Sequence, residues 1–241
     1  MIPTSINGTD ITGATIDGTD VQEITVDGQT VFSAAETNLI ARYAFDNNLN
    51  DSVGSNDASV TTGSQSFSTD AKVGSHARDY NATGFDQINS VVDGESAFSI
   101  TAHIKPRNNT NFQIIMRKNP TGPFPDGGDY GFNLSDSGEI RAFGNNDLVG
   151  PTLSANTFVH IALTFDSGAI ELFVDGTLED SGTNPSEIPS SGPTSTTNFQ
   201  IGGPDAGGFD YYDGLIDDVR FYNKALSSAE VTNLINNDSI V

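Results

Sequence analysis

The chain has 241 residues with 32 acidic and 10 basic side chains, a formal net charge of −22, and neither cysteine nor tryptophan. The lack of Cys excludes disulfides, thiolate zinc sites and Cys nucleophiles. The charge excludes a nucleic-acid binder, which needs clustered Lys and Arg against phosphates, and apolar runs of only a few residues predict no membrane insertion. The opening Met-Ile-Pro-Thr-Ser-Ile-Asn-Gly has neither a basic n-region nor an apolar h-region, so synthesis in the cytoplasm without a Sec-type signal is expected.

Residues 1–35 carry a ten-residue repeat: Ile6-Asn7-Gly8-Thr9-Asp10, Ile16-Asp17-Gly18-Thr19-Asp20 and Val26-Asp27-Gly28-Gln29-Thr30. Asn-Gly and Asp-Gly between β-branched residues signal tight hairpins, because a type I′ turn needs φ > 0 at both central positions. The segment reads as a small meander of four short strands. Alone it is too small to hold a core. It is expected to join chains, most simply as a trimer, or to dock on another protein; packing against the rest of its own chain is the alternative.

From residue 37 to 241 the pattern is that of one large all-β domain. Leu39, Ala41, Tyr43 and Phe45 alternate, as do Phe98, Ile100, Ala102 and Ile104. Ile161, Leu163 and Phe165 lead through Asp166-Ser167-Gly168 to Ile170, Leu172 and Val174. Period two between polar turns predicts antiparallel sheets, each strand burying one face, and the spacing suits a two-sheet sandwich. The exception comes near the end. Ser227-Ser228-Ala229-Glu230 is a capping box, and Leu226 with Val231 forms a hydrophobic staple. A short helix of about two turns should follow, burying Val231, Leu234 and Ile235.

Four segments carry a resemblance. Tyr43-Ala44-Phe45-Asp46-Asn47-Asn48-Leu49-Asn50-Asp51-Ser52 resembles the opening of laminin-G-like, concanavalin A-like jelly rolls, and Phe98 to Pro106 resembles a second strand of that family. Phe158 to Ala162 with Leu172-Phe173-Val174-Asp175-Gly176 resembles its central hairpin. Gly214-Leu215-Ile216-Asp217-Asp218-Val219-Arg220-Phe221-Tyr222 through Ser227 resembles its closing strand and helix start. Two positions where the family usually has Trp hold His103 and Phe158. The resemblance implies a jelly-roll sandwich of about 12–14 strands over residues 39–236, with carbohydrate binding as its usual role. The leader resembles the anchoring starts of phage and haloarchaeal-virus fibre or spike proteins.

Two Gly/Pro-rich loops carry the aromatic and carboxylate groups that suit a sugar: residues 119–130 with Phe124, Asp126, Asp129 and Tyr130, and residues 204–213 with Phe209, Asp210 and Tyr211. The alternative for each aromatic is plain packing. Tyr212 is assigned to the core. Asp46, Asn48 and Asp51 place oxygens on one turn, and the family pairing brings Asp217 near them. This set suits a structural calcium ion; the alternative is turn residues making Asx hydrogen bonds. No catalytic residues are expected. There is no Glu-x-Asp-x-Glu run of the kind that sets two carboxylates about 5 Å apart. No G-x-S-x-G occurs either, and Asp217 and Asp218, adjacent in a strand, should face opposite sides.

Of the 32 acids, 24 are Asp, spread along the whole chain, and only four of the bases are Lys. Spread acids imply an acidic surface that repels itself in dilute buffer and is screened in roughly molar salt, where the Debye length is about 3 Å. This composition is similar to that of halophile proteins. Charge, leader and fold together lead to one expectation: a non-enzymatic virion protein of a haloarchaeal virus, as tail fibre, spike or capsid decoration. It would be extracellular after release, contact other virion proteins through residues 1–35, and present the jelly roll to a host-surface glycan or glycoprotein. The alternatives are a cellular carbohydrate-binding or adhesion module of a halophile and a glycoside hydrolase on the same fold.

Overall fold

The computed structural model describes residues 38–118, 130–142, 148–183, 188, 198–203 and 210–237, and the backbone pairing of six short strands between residues 5 and 33. Those six are β1 (Ser5–Ile6), β2 (Thr9–Asp10), β3 (Thr15–Ile16), β4 (Thr19–Asp20), β5 (Glu23–Val26) and β6 (Gln29–Ser33). Among the described residues they pair within each repeat, Ile6↔Thr9, Ile16↔Thr19 and Val26↔Gln29. The leader is therefore three two-stranded hairpins in one repeated register, not a four-stranded meander.

The body follows in chain order: β7 (Leu39–Tyr43), β8 (Ser59–Thr62), β9 (Ser66–Ser68), β10 (Ala77–Asn81), β11 (Phe85–Ile88), β12 (Ala97–Pro106), β13 (Gln113–Lys118) and β14 (Gly131–Leu134). Then come β15 (Glu139–Ala142), β16 (Leu148–Thr152), β17 (Val159–Asp166), β18 (Ala169–Val174), β19 (Thr177–Thr183), β20 (Phe199–Ile201), β21 (Asp213–Tyr222) and α1 (Ser228–Asn237). The first sheet has the order β19-β18-β17-β12-β21-β10-β9, with β7 also on β21, and the second has β16-β15-β14-β13-β20-β11-β8. All these strand pairs are antiparallel, so the fold is the expected two-sheet jelly-roll sandwich. The long β21 is shared: Arg78 of β10 pairs with Ile216, and Tyr43 of β7 with Val219.

The alternating apolar residues meet between the sheets. Phe98, Ile100, Ala102 and Ile104 face Ile115, Phe132, Leu134, Phe199 and Ile201 in one core that also takes Ile161, Leu163, Phe165, Ile170, Leu172 and Val174. Ala41, Tyr43 and Phe45 join it, but Leu39 does not. The β7–β21 register shifts between Phe221 and Tyr222, and Leu39 packs with α1 on the outer face of the first sheet. The helix is longer than expected, ten residues, and buries Val231 and Leu234 on Ala162, Phe173 and Tyr222, with Ile235 half-buried. Its capping box is formed: Ser227 N–H donates to Glu230 Oε2 at 2.9 Å, and Glu230 N–H to Ser227 Oγ at 3.4 Å. Among the described residues no helix is long and apolar enough to cross a membrane.

Asp217 and Asp218 do not face opposite sides. Opposite β12 the register runs Thr101↔Arg220 and then His103↔Asp217, so β21 carries one extra residue, and Asp218 sits in the left-handed region at φ 50°. Such a bulge turns both side chains to the outer face. Asp218 bridges Arg42 and Arg220, each at 2.7 Å. Asp217 Oδ2 accepts the Lys72 and Val73 N–H groups at 2.7 and 2.9 Å.

Candidate functional site

At one end of the sandwich three turns converge on a cleft of about 620 Å³ lined by Asn108, Asn111, Phe112, Asp136, Asp210 and Tyr211, with Ala82, Gln113 and Asp213 at its base. The chain leaves β12 through an Asn-rich turn and enters β13. The β14–β15 turn supplies Asp136, and the residues before β21 supply Asp210 and Tyr211. A network fixes these turns to one another. Asp213 N–H donates to Gln113 Oε1 at 2.9 Å, Gln113 Nε2 donates to Asn108 Oδ1 at 3.0 Å, and Asn108 Nδ2 donates to Asp213 Oδ2 at 3.0 Å. Arg107 Nη1 donates to the other Asp213 oxygen at 3.1 Å and to the Tyr80 carbonyl at 2.6 Å, and Nη2 binds Asp79. Both Asp213 oxygens are thus consumed in building the floor.

Tyr211 is held from both sides. Ile114 N–H donates to the Asp210 carbonyl at 2.7 Å, and Tyr212 N–H to the Gly202 carbonyl at 3.0 Å. Asp210 takes φ 63°, a conformation that Asp tolerates better than most residues. The Tyr211 ring lies 6.5 Å from Phe85 at 31°. Its hydroxyl, the Asn111 amide and the second oxygen of Asp136 have no hydrogen-bond partner among the described residues; Asp136 Oδ1 accepts Phe112 N–H at 2.8 Å. The open groups are therefore an aromatic face with a hydroxyl, a second half-buried ring at Phe112, an amide and a carboxylate oxygen. That combination suits a polyhydroxylated ligand: rings for its C–H faces, and convergent acceptors and donors for its hydroxyls.

Of the residues expected to bind a ligand, Asp210 and Tyr211 line this cleft. Tyr130 does not. It is 0% exposed and packs on Phe98 and Phe199 at ring distances of 5.1 and 5.8 Å, and its carbonyl accepts Lys118 N–H of β13. Phe124, Asp126, Asp129 and Phe209 lie outside the described residues. Tyr212 is buried as expected. Asn108, Asn111, Phe112 and Asp136 were not anticipated. Their signal is an aromatic following an Asn-rich turn, Arg107-Asn108-Asn109-Thr110-Asn111-Phe112, outside the Gly/Pro-rich loops.

The four candidate calcium ligands separate into two groups. Asp51 Oδ1 accepts N–H from Arg42, Val53 and Gly54 at 3.0–3.1 Å, and Oδ2 accepts Asn56 N–H at 3.3 Å. Asn48 is used between the Asp46 carbonyl and Asn50 N–H, each at 2.9 Å. These two follow the Asx-turn alternative. Asp46 and Asp217 instead hold the same loop. Asp46 Oδ1 accepts Ser75 N–H at 2.5 Å and His76 N–H at 3.0 Å, and Asp217 Oδ2 takes the N–H groups of residues 72 and 73. Asp217 Oδ1 is buried without a hydrogen-bond partner among the described residues. Burial, reinforced by the charges of Asp218 and Asp46 against the backbone donors, pushes its carboxyl up to about 7. Among the described residues no group of three His, Asp or Glu gathers around one point, so a cation at Asp217 would need backbone carbonyls to complete its shell.

The outer face beside Asp217 carries a buried polar row. His103 and His160 face each other across β12 and β17, ring centroids 4.9 Å apart at 64°. Both ring nitrogens of His103 lack hydrogen-bond partners among the described residues. Burial holds the imidazole at about 4, outweighing the attraction of Asp218.

A family model described as the concanavalin A-like lectin/glucanases superfamily matches residues 79–232. A comparison with curated protein sequences gives no match. Among solved structures, the chain is similar to domain 4 of AbnA, a GH43 extracellular arabinanase from Geobacillus stearothermophilus in complex with arabinotriose. Their identity is 23% and the TM-score 0.66, over 83% of this chain and 100% of that one. It is also similar to the binding domain of botulinum neurotoxin DC in complex with SialylT, at 14% identity and TM-score 0.61 over 82% of this chain and 50% of that one. Trypanosoma rangeli sialidase matches at 17% and 0.62, with 91% of this chain and 37% of that one covered. The chain thus spans half or less of the two longer proteins.

Proposed function

The chain belongs to the concanavalin A-like lectin/glucanases superfamily, and on that premise we propose that it is a non-enzymatic glycan-binding protein whose ligand lies in the cleft at Tyr211. The observation that carries this reading is the set of open groups around one cavity: the Tyr211 ring and hydroxyl, the Phe112 ring, the Asn111 amide and the outer oxygen of Asp136. Similarity to a domain solved with arabinotriose supports it. The non-enzymatic part rests on the carboxylates. Asp213 is locked by Arg107 and Asn108. The carboxyl raised to about 7, Asp217, lies four residues further along β21, roughly 13 Å at strand rise, under the loop of residues 72 and 73. The raised carboxyl, the kind a general acid needs, therefore does not face the cleft that Asp136 and Asp210 line.

We further propose the setting: a virion protein of a haloarchaeal virus, a fibre, spike or capsid decoration, joined as a homotrimer and to other virion proteins by the leader. The three hairpins in one repeated register support an assembling element, because a short repeat of this size cannot bury a core of its own. The 32 acids against 10 bases support a molar-salt medium. A structural calcium ion between Asp46 and Asp217 would hold the loop of residues 72–76 and neutralise the buried carboxylate. An array of oligosaccharides probed with full-length protein in molar KCl tests the main reading. Binding that is abolished by Tyr211→Ala is expected; a protein that binds no glycan, or binds equally well without the ring, overturns it. Detection in purified particles separates the virion from a cellular adhesion module.

A further inference from the structure

We infer that the cleft selects neutral glycans and rejects sialylated, uronic or sulfated ones; this rests on the glycan-binding reading above. Recognising an anionic sugar requires a cation, most effectively an Arg fork that grips the carboxylate or sulfate bidentately. All ten Lys and Arg of the chain lie within the described residues 42–224, and the segments outside them contain none. No loop around the cleft can bring a positive charge to it, wherever that loop lies.

The cations that are present are committed elsewhere. Arg42 and Arg220 hold Asp218, Arg78 holds Asp86, Lys105 holds Asp70, Lys118 holds Asp93, Arg141 holds Glu139 and Lys224 holds Glu230. Arg117 is fully buried. Lys72 is exposed, but on the loop over Asp217 and not at the cleft. The single cation beside the cavity is Arg107, whose guanidinium is engaged by Asp79, Asp213 and the Tyr80 carbonyl.

The lining itself is acidic, with Asp136, Asp210 and Asp213 around the cavity. A sugar carboxylate placed on Tyr211 would meet the outer oxygen of Asp136 and lose water without gaining a counter-charge. Like charges at contact distance are a device for rejecting a wrong ligand. A neutral sugar meets no such penalty, because its hydroxyls donate to Asp136 and exchange bonds with Asn111 and the Tyr211 hydroxyl.

The test uses the full-length chain and matched oligosaccharide pairs, each neutral glycan beside its sialylated or uronate-capped counterpart. Calorimetry in molar KCl screens long-range repulsion and leaves contact chemistry to decide. The neutral member of a binding pair should bind at least tenfold more tightly than its acidic counterpart. Asp136→Asn, which removes the charge and keeps a side-chain oxygen, should shrink that ratio to less than threefold, whatever it does to the neutral member's own affinity. Tyr211→Phe, which keeps the ring and removes the hydroxyl, separates stacking from hydrogen bonding. Equal or tighter binding of the acidic member, abolished by Tyr211→Ala, would overturn the charge inference while leaving the glycan site standing. Binding of neither member in any pair would overturn the glycan reading and this inference with it.

Discussion

The buried ion pair that ties the two sheets together sets a quantitative expectation. Arg78 on β10 belongs to the first sheet and Asp86 on β11 to the second. They make two hydrogen bonds, Nε to Oδ2 at 2.6 Å and Nη2 to Oδ1 at 2.8 Å, and Tyr80 Oη donates to Oδ2 at 2.9 Å. Their side chains are 3% and 0% exposed, and Arg78 also lies 4.7 Å over the Phe67 ring. Asp86→Ala leaves a buried guanidinium without its counter-ion and a buried phenol without its acceptor. Breaking one partner of such a pair costs about 3–5 kcal/mol. For a chain of this length that is a fall in Tm of roughly 6–20 °C. Replacing both charges, Arg78→Met with Asp86→Leu, should recover most of the loss, since the desolvation of two ions disappears with them. Denaturant unfolding at neutral pH in molar KCl reads both variants. Phe85 precedes Asp86 and lies beside Tyr211, so Asp86→Ala should also weaken glycan binding. A single variant within about 1 kcal/mol of the parent, or a double variant as weak as the single, refutes the assignment of this pair as a buried clamp.

Three further outcomes follow from the same structure. The Tm should rise with KCl from about 0.1 M upward as screening shortens the range of repulsion among the acids; a flat or falling Tm contradicts the acidic-surface reading. Calcium should raise the Tm and a chelator reverse it, with Asp217→Asn abolishing the response and Asp51→Asn lowering stability but keeping it; an unresponsive parent protein removes the ion. In the Asp217→Asn background, stability should be full above pH 6.5 and fall towards pH 4, because the folded state holds His103 neutral down to about 4 while the unfolded chain protonates near 6.5. That window is worth about 3 kcal/mol. Denaturation midpoints unchanged across it, or His103→Leu showing the same acid loss, would assign the acid limb to other groups.

Much of the fold was legible because period-two alternation reports burial directly. The four alternating residues of β12 all reach the core, and the Ser227–Glu230 box caps the helix it foretold. What escaped the sequence depends on register. A one-residue bulge brought Asp217 and Asp218 to the same face, and a shift at Phe221 sent Leu39 to the helix side. Neither leaves a compositional trace. The calcium candidates illustrate the ambiguity of Asx residues: Asp51 spends four backbone bonds inside its own turn, whereas Asp217 keeps an unpartnered oxygen. For the cleft, an aromatic with an acid in a Gly/Pro-rich loop located Asp210 and Tyr211. The opposing wall of Asn111, Phe112 and Asp136 comes from turns distant in sequence, and only the convergence of β12, β14 and β21 brings it there. Tyr130 shows the converse, an aromatic at a loop end that the sheet draws into the core.

The most direct measurement is a crystal structure of the protein with a bound neutral oligosaccharide. The sugar should stack on Tyr211, with its hydroxyls on Asn111 and the outer oxygen of Asp136, and Arg107 should still be holding Asp213. A sugar seated elsewhere, with the Tyr211 cleft empty, would contradict the assignment of the site.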